Sequence, residues 1–218
     1  MKLRPLFILL LFVVSAGILT WLYMVWSREP TPLQTTDWRE VVSDLDACCR
    51  RKHVKSVQYD HFATQATTEQ QRNAAHLFRA MALSARLQEN NCATAIVRLG
   101  GHYAPPSKVL VFRGTTDSNL QRSITYEHRT RDEIRRSDID RAVARGNRYA
   151  ARVLIWAAAG DLRHIALMEH CRSANVDTPT HIDCYQVCPL CGSIYTADYT
   201  DTYCPICLTD GRKFIGCQ

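Results

Sequence analysis

The chain has 218 residues, of which 46% are apolar, and carries a formal net charge of +6 from 27 basic and 21 acidic side chains. Lys2 and Arg4 lie before the first apolar segment, so the rest of the chain carries +4 (6 − 2). A charge this small argues against a protein that binds nucleic acid through a dense basic surface. Arginines are frequent between Arg129 and Arg152, but acidic residues are interleaved among them, which predicts a solvated helix face. No nucleic-acid partner is predicted.

An uncharged apolar segment, Leu6–Trp26, follows the N-terminal basic residues. As a helix it is long enough to cross about 30 Å of hydrocarbon. A cleaved signal peptide is the alternative, because Val14–Ala16 offers small residues for cleavage, but the run exceeds the ~7 to 15 apolar residues usual in such peptides. We therefore predict an uncleaved membrane anchor in residues 1–27. Because Lys2 and Arg4 precede it, the N-terminus is expected in the cytoplasm and the globular part in the periplasm or on the outer face.

A proline-containing tether and a helical domain are predicted after the anchor. Residues 28–37 include Pro30 and Pro32 among threonine and glutamine, a composition typical of an extended linker. Residues 38–175 repeat apolar side chains at three- and four-residue steps, as amphipathic helices do. The pattern predicts four long helices near residues 38–66, 68–91, 118–145 and 147–172.

A long connection is predicted between the second and third helices, where Gly100-Gly101 and Pro105-Pro106 interrupt the helical pattern. Most helix–helix loops have about two to eight residues, so a connection this long is a crossover. One long crossover in a four-helix bundle is the ferritin-like topology. The predicted fold class is therefore mainly α, a ferritin-like bundle followed by a small C-terminal module.

Two Cys-x-x-Cys motifs in residues 182–218 predict a metal site with four thiolate ligands, the four-cysteine site. Each motif turns two sulfurs towards one ion, and two motifs complete a tetrahedral shell of sulfurs, which suits zinc or iron. Zinc would make the site a structural staple, whereas iron would make it a one-electron carrier. The paired spacing argues against disulfides among these residues. The predicted ligands are Cys188, Cys191, Cys204 and Cys207.

Three bundle residues are candidates for a second metal site. Ferritin-like bundles hold two irons with glutamates and Glu-x-x-His pairs. Asp161 and His164 form one such acid-x-x-His pair on the predicted fourth helix, and Glu127 on the third is a companion. The alternative is a hydrogen-bonded polar group in the core.

Several short motifs between residues 50 and 215 carry a resemblance to a known family. They are Tyr59-Asp60-His61-Phe62-Ala63, Leu77-Phe78-Arg79, Leu99-Gly100-Gly101-His102-Tyr103, Asn119-Leu120 through Glu127, and Ala151-Arg152-Val153-Leu154. With the order of the bundle and the four-cysteine module, this part of the chain resembles rubrerythrin, in which a ferritin-like bundle precedes a rubredoxin-like module. The resemblance implies a di-iron site that reduces peroxide and receives electrons through the four-cysteine site. It also implies seven ligand positions in the bundle, of which only Glu127, Asp161 and His164 keep an acid or an imidazole.

The missing ligands predict that the bundle departs from the family. Lys52 stands where the first helix of rubrerythrins supplies a glutamate, and Ala85 and Gln88 stand where the second supplies Glu-x-x-His. A positive charge at a ligand position opposes ion binding. Neither a di-iron centre nor peroxidase activity is therefore expected, although a peroxide-reducing oxidoreductase is the activity that the family would imply.

The leading interpretation is a membrane-anchored, rubrerythrin-like protein whose four-cysteine site binds iron and passes single electrons. The alternative is a non-catalytic scaffold with zinc in the four-cysteine site and a bundle that serves as an interaction surface. A redox partner is implied by the first interpretation, and the family resemblance suggests a homodimer.

Six further cysteines lie outside the predicted metal site. In an exported protein they could pair, because that space is oxidising. The predicted topology brings Cys48 or Cys49 towards Cys92, and Cys171 towards Cys184 or Cys217. The alternative is free, buried thiols acting as small apolar side chains.

Overall fold

The computed structural model describes residues 15–21, 23, 37–133, 135–177, 184–199 and 201–217, without the side chains of 131–133, 135 and 174–177. The chain divides into two compact units, Met1–Asp37 and Trp38–Gln218. In the first, residues 15–21 and 23 are helical, and the rest of the predicted anchor Leu6–Trp26 and nearly all of the tether lie outside the described residues. Within the described ranges, no helix has both the length and the apolar character to cross a bilayer.

Five helices form the larger part of the second unit, as far as its residues are described. The mainly α fold with a small C-terminal β module is confirmed, and the range predicted as one third helix is described as two, α3 and α4. Helices α1 and α2 pack together along their lengths, and α5 contacts α2, α3 and α4. The helices are α1 (Arg39–Thr68), α2 (Arg72–Arg98), α3 (Thr116–Glu133), α4 (Arg135–Ala144) and α5 (Arg148–Asp177).

The bundle interior has two apolar clusters with a polar layer between them. One cluster contains Phe62, Phe78 and Met168, and the other contains Leu45 and Ile96. Their side chains recur at three- and four-residue steps along each helix, so one face of the helix is buried. The stretches of α1, α2 and α5 between the two clusters carry buried charged and polar residues instead.

The connection between α2 and α3 lies against the end of α1. Gln58 donates from Nε2 to the Phe112 carbonyl at 3.1 Å and accepts from the Phe112 N–H at 2.9 Å. Glu69 accepts a hydrogen bond of 2.8 Å from the N–H of Thr116, the first residue of α3. The connection is shorter than predicted because α2 continues to Arg98.

The C-terminal module is a three-stranded antiparallel sheet with two loops that carry the cysteines. Its strands are β1 (Tyr185–Val187), β2 (Ile194–Thr196) and β3 (Ile215–Cys217), in the spatial order β2-β1-β3. All three strands contact α2, and β2 also contacts α5. Tyr185 and Ile194 are fully buried and belong to the same apolar cluster as Phe78. The module therefore shares a core with the bundle.

Candidate metal centre and a buried ion network

The four predicted cysteines come together in the C-terminal module. Their sulfurs all lie within 4.8 Å of one another. Cys188 and Cys207 approach to 3.5 Å between Sγ atoms, and Cys191 and Cys204 to 3.6 Å. About 2.3 Å separates zinc from each sulfur in a tetrahedral thiolate site, so these spacings leave room for one ion at the centre. The residues fit a metal held by four sulfurs.

Backbone N–H groups and hydroxyls surround the sulfurs. The N–H groups of Leu190, Ser193 and Thr209 each donate to a ligand sulfur. The Tyr195 hydroxyl lies 3.2 Å from Cys204 Sγ. Hydrogen bonds of this kind stabilise anionic thiolates and, in a redox centre, tune the reduction potential.

The charge is unevenly shared among the thiols. A hydrogen bond with the Cys191 thiol, assisted by backbone N–H groups, lowers the pKa of Cys188 to about 4. The same contact, together with burial, raises the pKa of Cys191 above its ordinary value. One thiolate is therefore already favoured at neutral pH, and a metal ion would displace the protons that remain.

The two Cys-x-x-Cys loops end in the same backbone conformation but with different residues. Gly192 follows the first loop with φ +74°, and Leu208 follows the second with φ +62°. A β-carbon at Gly192 would lie 2.9 Å from the Ser84 carbonyl oxygen, so glycine also permits close approach to α2. Leu208 gains no comparable contact, because it is 76% exposed. Its left-handed backbone conformation costs a non-glycine residue about 1–2 kcal/mol.

This asymmetry predicts opposite effects for two matched substitutions. Leu208→Gly is expected to stabilise the module, by at most about 1 kcal/mol after the chain entropy of glycine is subtracted. Gly192→Ala is expected to destabilise it by about 1–3 kcal/mol, through backbone strain and the clash with α2. Thermal unfolding of the metal-loaded chain measures both. A stable Gly192→Ala variant would contradict the close approach.

The first loop docks on α2 of the same chain. The Ser84 hydroxyl donates to the Gly192 carbonyl at 2.5 Å, and Asn91 donates from Nδ2 to the Leu190 carbonyl at 2.6 Å. From α5, Arg163 donates from Nε to the carbonyl at position 194 at 3.0 Å. These contacts hold the four-cysteine site against the middle of the bundle, beside the polar layer.

The polar layer contains a network of two lysines and two carboxylates. Lys52 donates from Nζ to Asp161 Oδ1 at 2.7 Å. Lys55 lies 2.8 Å from the same oxygen and 2.6 Å from Glu127 Oε1. The Tyr59 hydroxyl donates to Glu127 Oε1 at 3.0 Å. The four charged side chains belong to residues that are at most 4% exposed, and their formal charges cancel.

The predicted pair Asp161 and His164 does lie on one face of α5, and with Glu127 the three offer ligand atoms within 4.8 Å of one another. His164 Nε2 is 2.9 Å from Ser84 Oγ. Since the single hydroxyl proton of Ser84 is used on Gly192, His164 donates to Ser84 through Nε2. Hydrogen bonds thus connect the first cysteine loop to His164.

These residues do not fit the di-iron centre of the family. The two carboxylates that could bind metal are held by ammonium groups. On α2, Ala85 offers no ligand atom, and the Gln88 amide lies so close to Gly160 that a β-carbon there would be 1.9 Å from Nε2. The placement of Lys52 at a lost ligand position agrees with this.

The sequence patterns did not identify Lys55, Ser84 or the Tyr59 hydroxyl as members of the polar layer. Lys55 lies three residues after Lys52, so both lysines lie on the same face of α1. This spacing was the signal that could have identified Lys55. Ser84 had no signal, because its partners lie 108 and 80 residues away.

No protein-family model and no curated protein matches this chain. Solved structures of nigerythrin do match. The mixed-valence state aligns with a TM-score of 0.67 and 22% identity, over 81% of this chain and 86% of that chain. The fully reduced, all-ferrous state aligns with a TM-score of 0.68 at the same identity and coverage.

Nigerythrin is a rubrerythrin-family protein, so the resemblance inferred from the sequence motifs is confirmed at the level of the fold. At 22% identity the match carries no further property to this chain. Its own geometry adds a four-cysteine cluster and a partial, buried group of Glu127, Asp161 and His164. The chain has the fold of nigerythrin, with a rubredoxin-like four-cysteine site and a lysine–carboxylate network inside the bundle.

Proposed function

We propose that this protein is a one-electron carrier that holds a single iron in its four-cysteine site. The observation that carries the proposal is the convergence of four sulfurs within 4.8 Å, with backbone N–H donors around them. Iron in such a site supplies a reversible one-electron couple. The matching nigerythrin structures are described as all-ferrous and mixed-valence, so that protein holds iron, which favours iron here.

The second cysteine loop carries the most exposed ligand of the four-cysteine site. Cys188, Cys191 and Cys204 are buried, whereas Cys207 is half-buried. Ile206 and Leu208 beside it are 41% and 76% exposed. A redox partner would approach there, because the opposite loop is docked on α2. The buried thiols exclude water from the remaining sides.

No peroxidase activity is proposed for the bundle, because lysine ammonium groups hold the carboxylates that iron would need.

We also propose that Leu6–Trp26 anchors the chain in a membrane, with the N-terminus in the cytoplasm and the globular part exported. Fractionation of cells that express the full chain, followed by protease treatment of intact spheroplasts, tests this placement. Recovery of the globular part in the cytoplasm would contradict it.

Metal content and colour test the electron carrier. The full chain, produced with iron and zinc both available, is expected to contain one iron per chain and to be red when oxidised. Reduction with dithionite should bleach it, and air should restore the colour. Three irons per chain with peroxide turnover would restore the family's chemistry and overturn the proposal.

A zinc scaffold is the second candidate function. The observation that favours it is the ion network, since lysine ammonium groups stand in the bundle where a metal that accepts electrons would bind. One zinc per chain and a colourless protein would support the scaffold and exclude the electron carrier.

A further inference from the structure

A pair of cysteines from two helices meets at one end of the bundle, away from the four-cysteine site. Cys48 on α1 and Cys92 on α2 have their Sγ atoms 3.2 Å apart, and both side chains are buried. The neighbouring Cys49 donates to the Glu89 carbonyl at 3.5 Å and also contacts the Cys92 thiol. The 3.2 Å contact between Cys48 and Cys92 is the one from which a bond would form.

The separation of the two sulfurs is about 1.2 Å longer than the ~2.05 Å of a disulfide bond. Rotation of the two side chains about their Cα–Cβ bonds is the movement that would close that gap. Both residues belong to an apolar cluster with Leu45 and Ile96, and a disulfide is an apolar group that such a cluster accommodates. The partners are 44 positions apart in the sequence, and the chain between them includes the turn between α1 and α2.

Cys184 and Cys217, the two described cysteines of the C-terminal module outside the metal site, gain no such contact with each other. Cys217 lies opposite Tyr185 in the register of β3 with β1. Cys184 Sγ lies 3.7 Å from the position of a β-carbon on Gly216, so it lies on the face of Gly216 and not on that of Cys217.

We propose that Cys48 and Cys92 are joined by a disulfide in the mature protein. The proposal rests on the proposed export of the globular part, since an oxidising compartment preserves such a bond. The oxidant is the disulfide of a dithiol-oxidising protein of that compartment. One thiolate of the pair attacks that disulfide and releases one thiol, and the second thiol of the pair then displaces the other. Two thiols are oxidised, one disulfide is reduced to two thiols, and the protons pass to the departing sulfurs.

The bond must form before the bundle closes. The cavity beside Cys48 has a volume of about 10 Å³ and is lined by Lys52 and by Leu154 and Ala157 of α5. That volume holds about one water and no protein oxidant. We therefore expect exchange to occur while α5 is still undocked, and the finished disulfide to resist added reductant until the chain unfolds.

The test is a disulfide map of the full chain. Protein exported by the producing cells is denatured, alkylated without reductant and digested with trypsin. We expect residues 40–50 linked to residues 87–98, with Cys49 alkylated in the linked peptide. The Cys49→Ala variant is the matched control, because it keeps the link and removes the ambiguity within the first peptide. Alkylated Cys48 and Cys92 in this protein would overturn the proposal.

A refolding arm separates the two premises. Reduced, unfolded chain is refolded in a glutathione redox buffer with metal present, then mapped in the same way. A Cys48–Cys92 disulfide in the refolded chain but not in the chain from cells would show that the proposed export is wrong. The absence of this disulfide from both samples would show that the two cysteines do not pair.

Stability provides the second readout. Closing a loop of this length is expected to raise the unfolding temperature by about 10 °C. Chain unfolded, reduced and refolded in a phosphine reductant should therefore melt about 10 °C lower than oxidised chain, for both wild type and Cys49→Ala. Cys92→Ala should show no such difference between the two treatments. Equal melting temperatures in the wild type would overturn the proposal even if the variant failed to fold.

Discussion

Replacing Lys55 with methionine is expected to destabilise the folded chain by about 3–5 kcal/mol, the usual cost of removing one partner from a buried ion pair. Lys55 contacts both carboxylates of the network, at 2.6 Å from Glu127 and 2.8 Å from Asp161. Without it, two negative charges share one remaining ammonium group in a site where all the charged partners are buried. Methionine keeps most of the side-chain volume of lysine, so the loss of stability measures the effect of removing the charge. Denaturant unfolding of the metal-loaded chain measures it.

Lys108→Met is the matched control, since Lys108 is an exposed residue of the connection between α2 and α3. Its effect is expected to stay within about 0.5 kcal/mol. Equal losses in the two variants, or no loss in Lys55→Met, would show that the network contributes nothing to stability.

Removing both lysines of the network is expected to create a metal site in the bundle. The double variant Lys52→Met/Lys55→Met leaves Glu127 and Asp161 without their ammonium partners, and their ligand atoms and that of His164 lie within 4.8 Å of one another. We expect this variant to bind one divalent ion in addition to the metal of the four-cysteine site, whereas the wild type binds none there. Elemental analysis and a rise in unfolding temperature on adding manganese measure the gain. Adding Asp161→Asn should abolish it, and a wild-type chain that already holds the second ion would contradict the prediction.

Cys204→Ser is expected to remove the metal and to unfold the C-terminal module. Cys204 is buried, and its N–H donates to the Thr209 carbonyl at 2.8 Å, so the ligand also orders its loop. Metal binding contributes about 10–16 kcal/mol to the folding of small zinc modules, and a module of this size has little core to replace it. The helices should persist, because most of the apolar core lies between α1, α2 and α5.

Metal analysis, limited proteolysis and far-ultraviolet circular dichroism measure these three effects on one sample. Cys217→Ser is the control, because Cys217 lies in the same module but outside the group of four sulfurs. It should keep the metal and the protease resistance. Retention of one metal by Cys204→Ser would mean that three sulfurs suffice, and the site would then have to include an open coordination position.

Local patterns predicted the four-cysteine site, because both ligands of each half lie within four residues and the geometry is a property of the turn. The polar layer could not be found in that way. Lys55 reaches Glu127 and Asp161 across separations of 72 and 106 residues, and nothing in a single sequence says which faces meet. The end of α2 was predicted seven residues early, at 91 rather than Arg98, although the buried Ala95 and Ile96 continue its apolar face.

Tyr59 shows a second kind of limit. An aromatic residue on an apolar helix face predicts core packing, and the ring does pack on Phe78, with centroids 6.1 Å apart. Its hydroxyl also donates to Glu127, and burial together with that carboxylate raises the pKa of Tyr59 well above its ordinary value. Only the position of Glu127 in the folded chain reveals that Tyr59 belongs to the network. The membrane anchor at Leu6–Trp26 remains a prediction.

The lysines of the network are covalently part of α1, so the folding of the bundle does not depend on the metal that the cell supplies. A bundle whose central positive charges are ions would empty and loosen under chelation or starvation. Here the neutralising charges are made with the chain and cannot be withdrawn by a competing ligand. Dependence on metal is confined to the small C-terminal module, so a chain made during scarcity would still fold its helices and could take up its ion later.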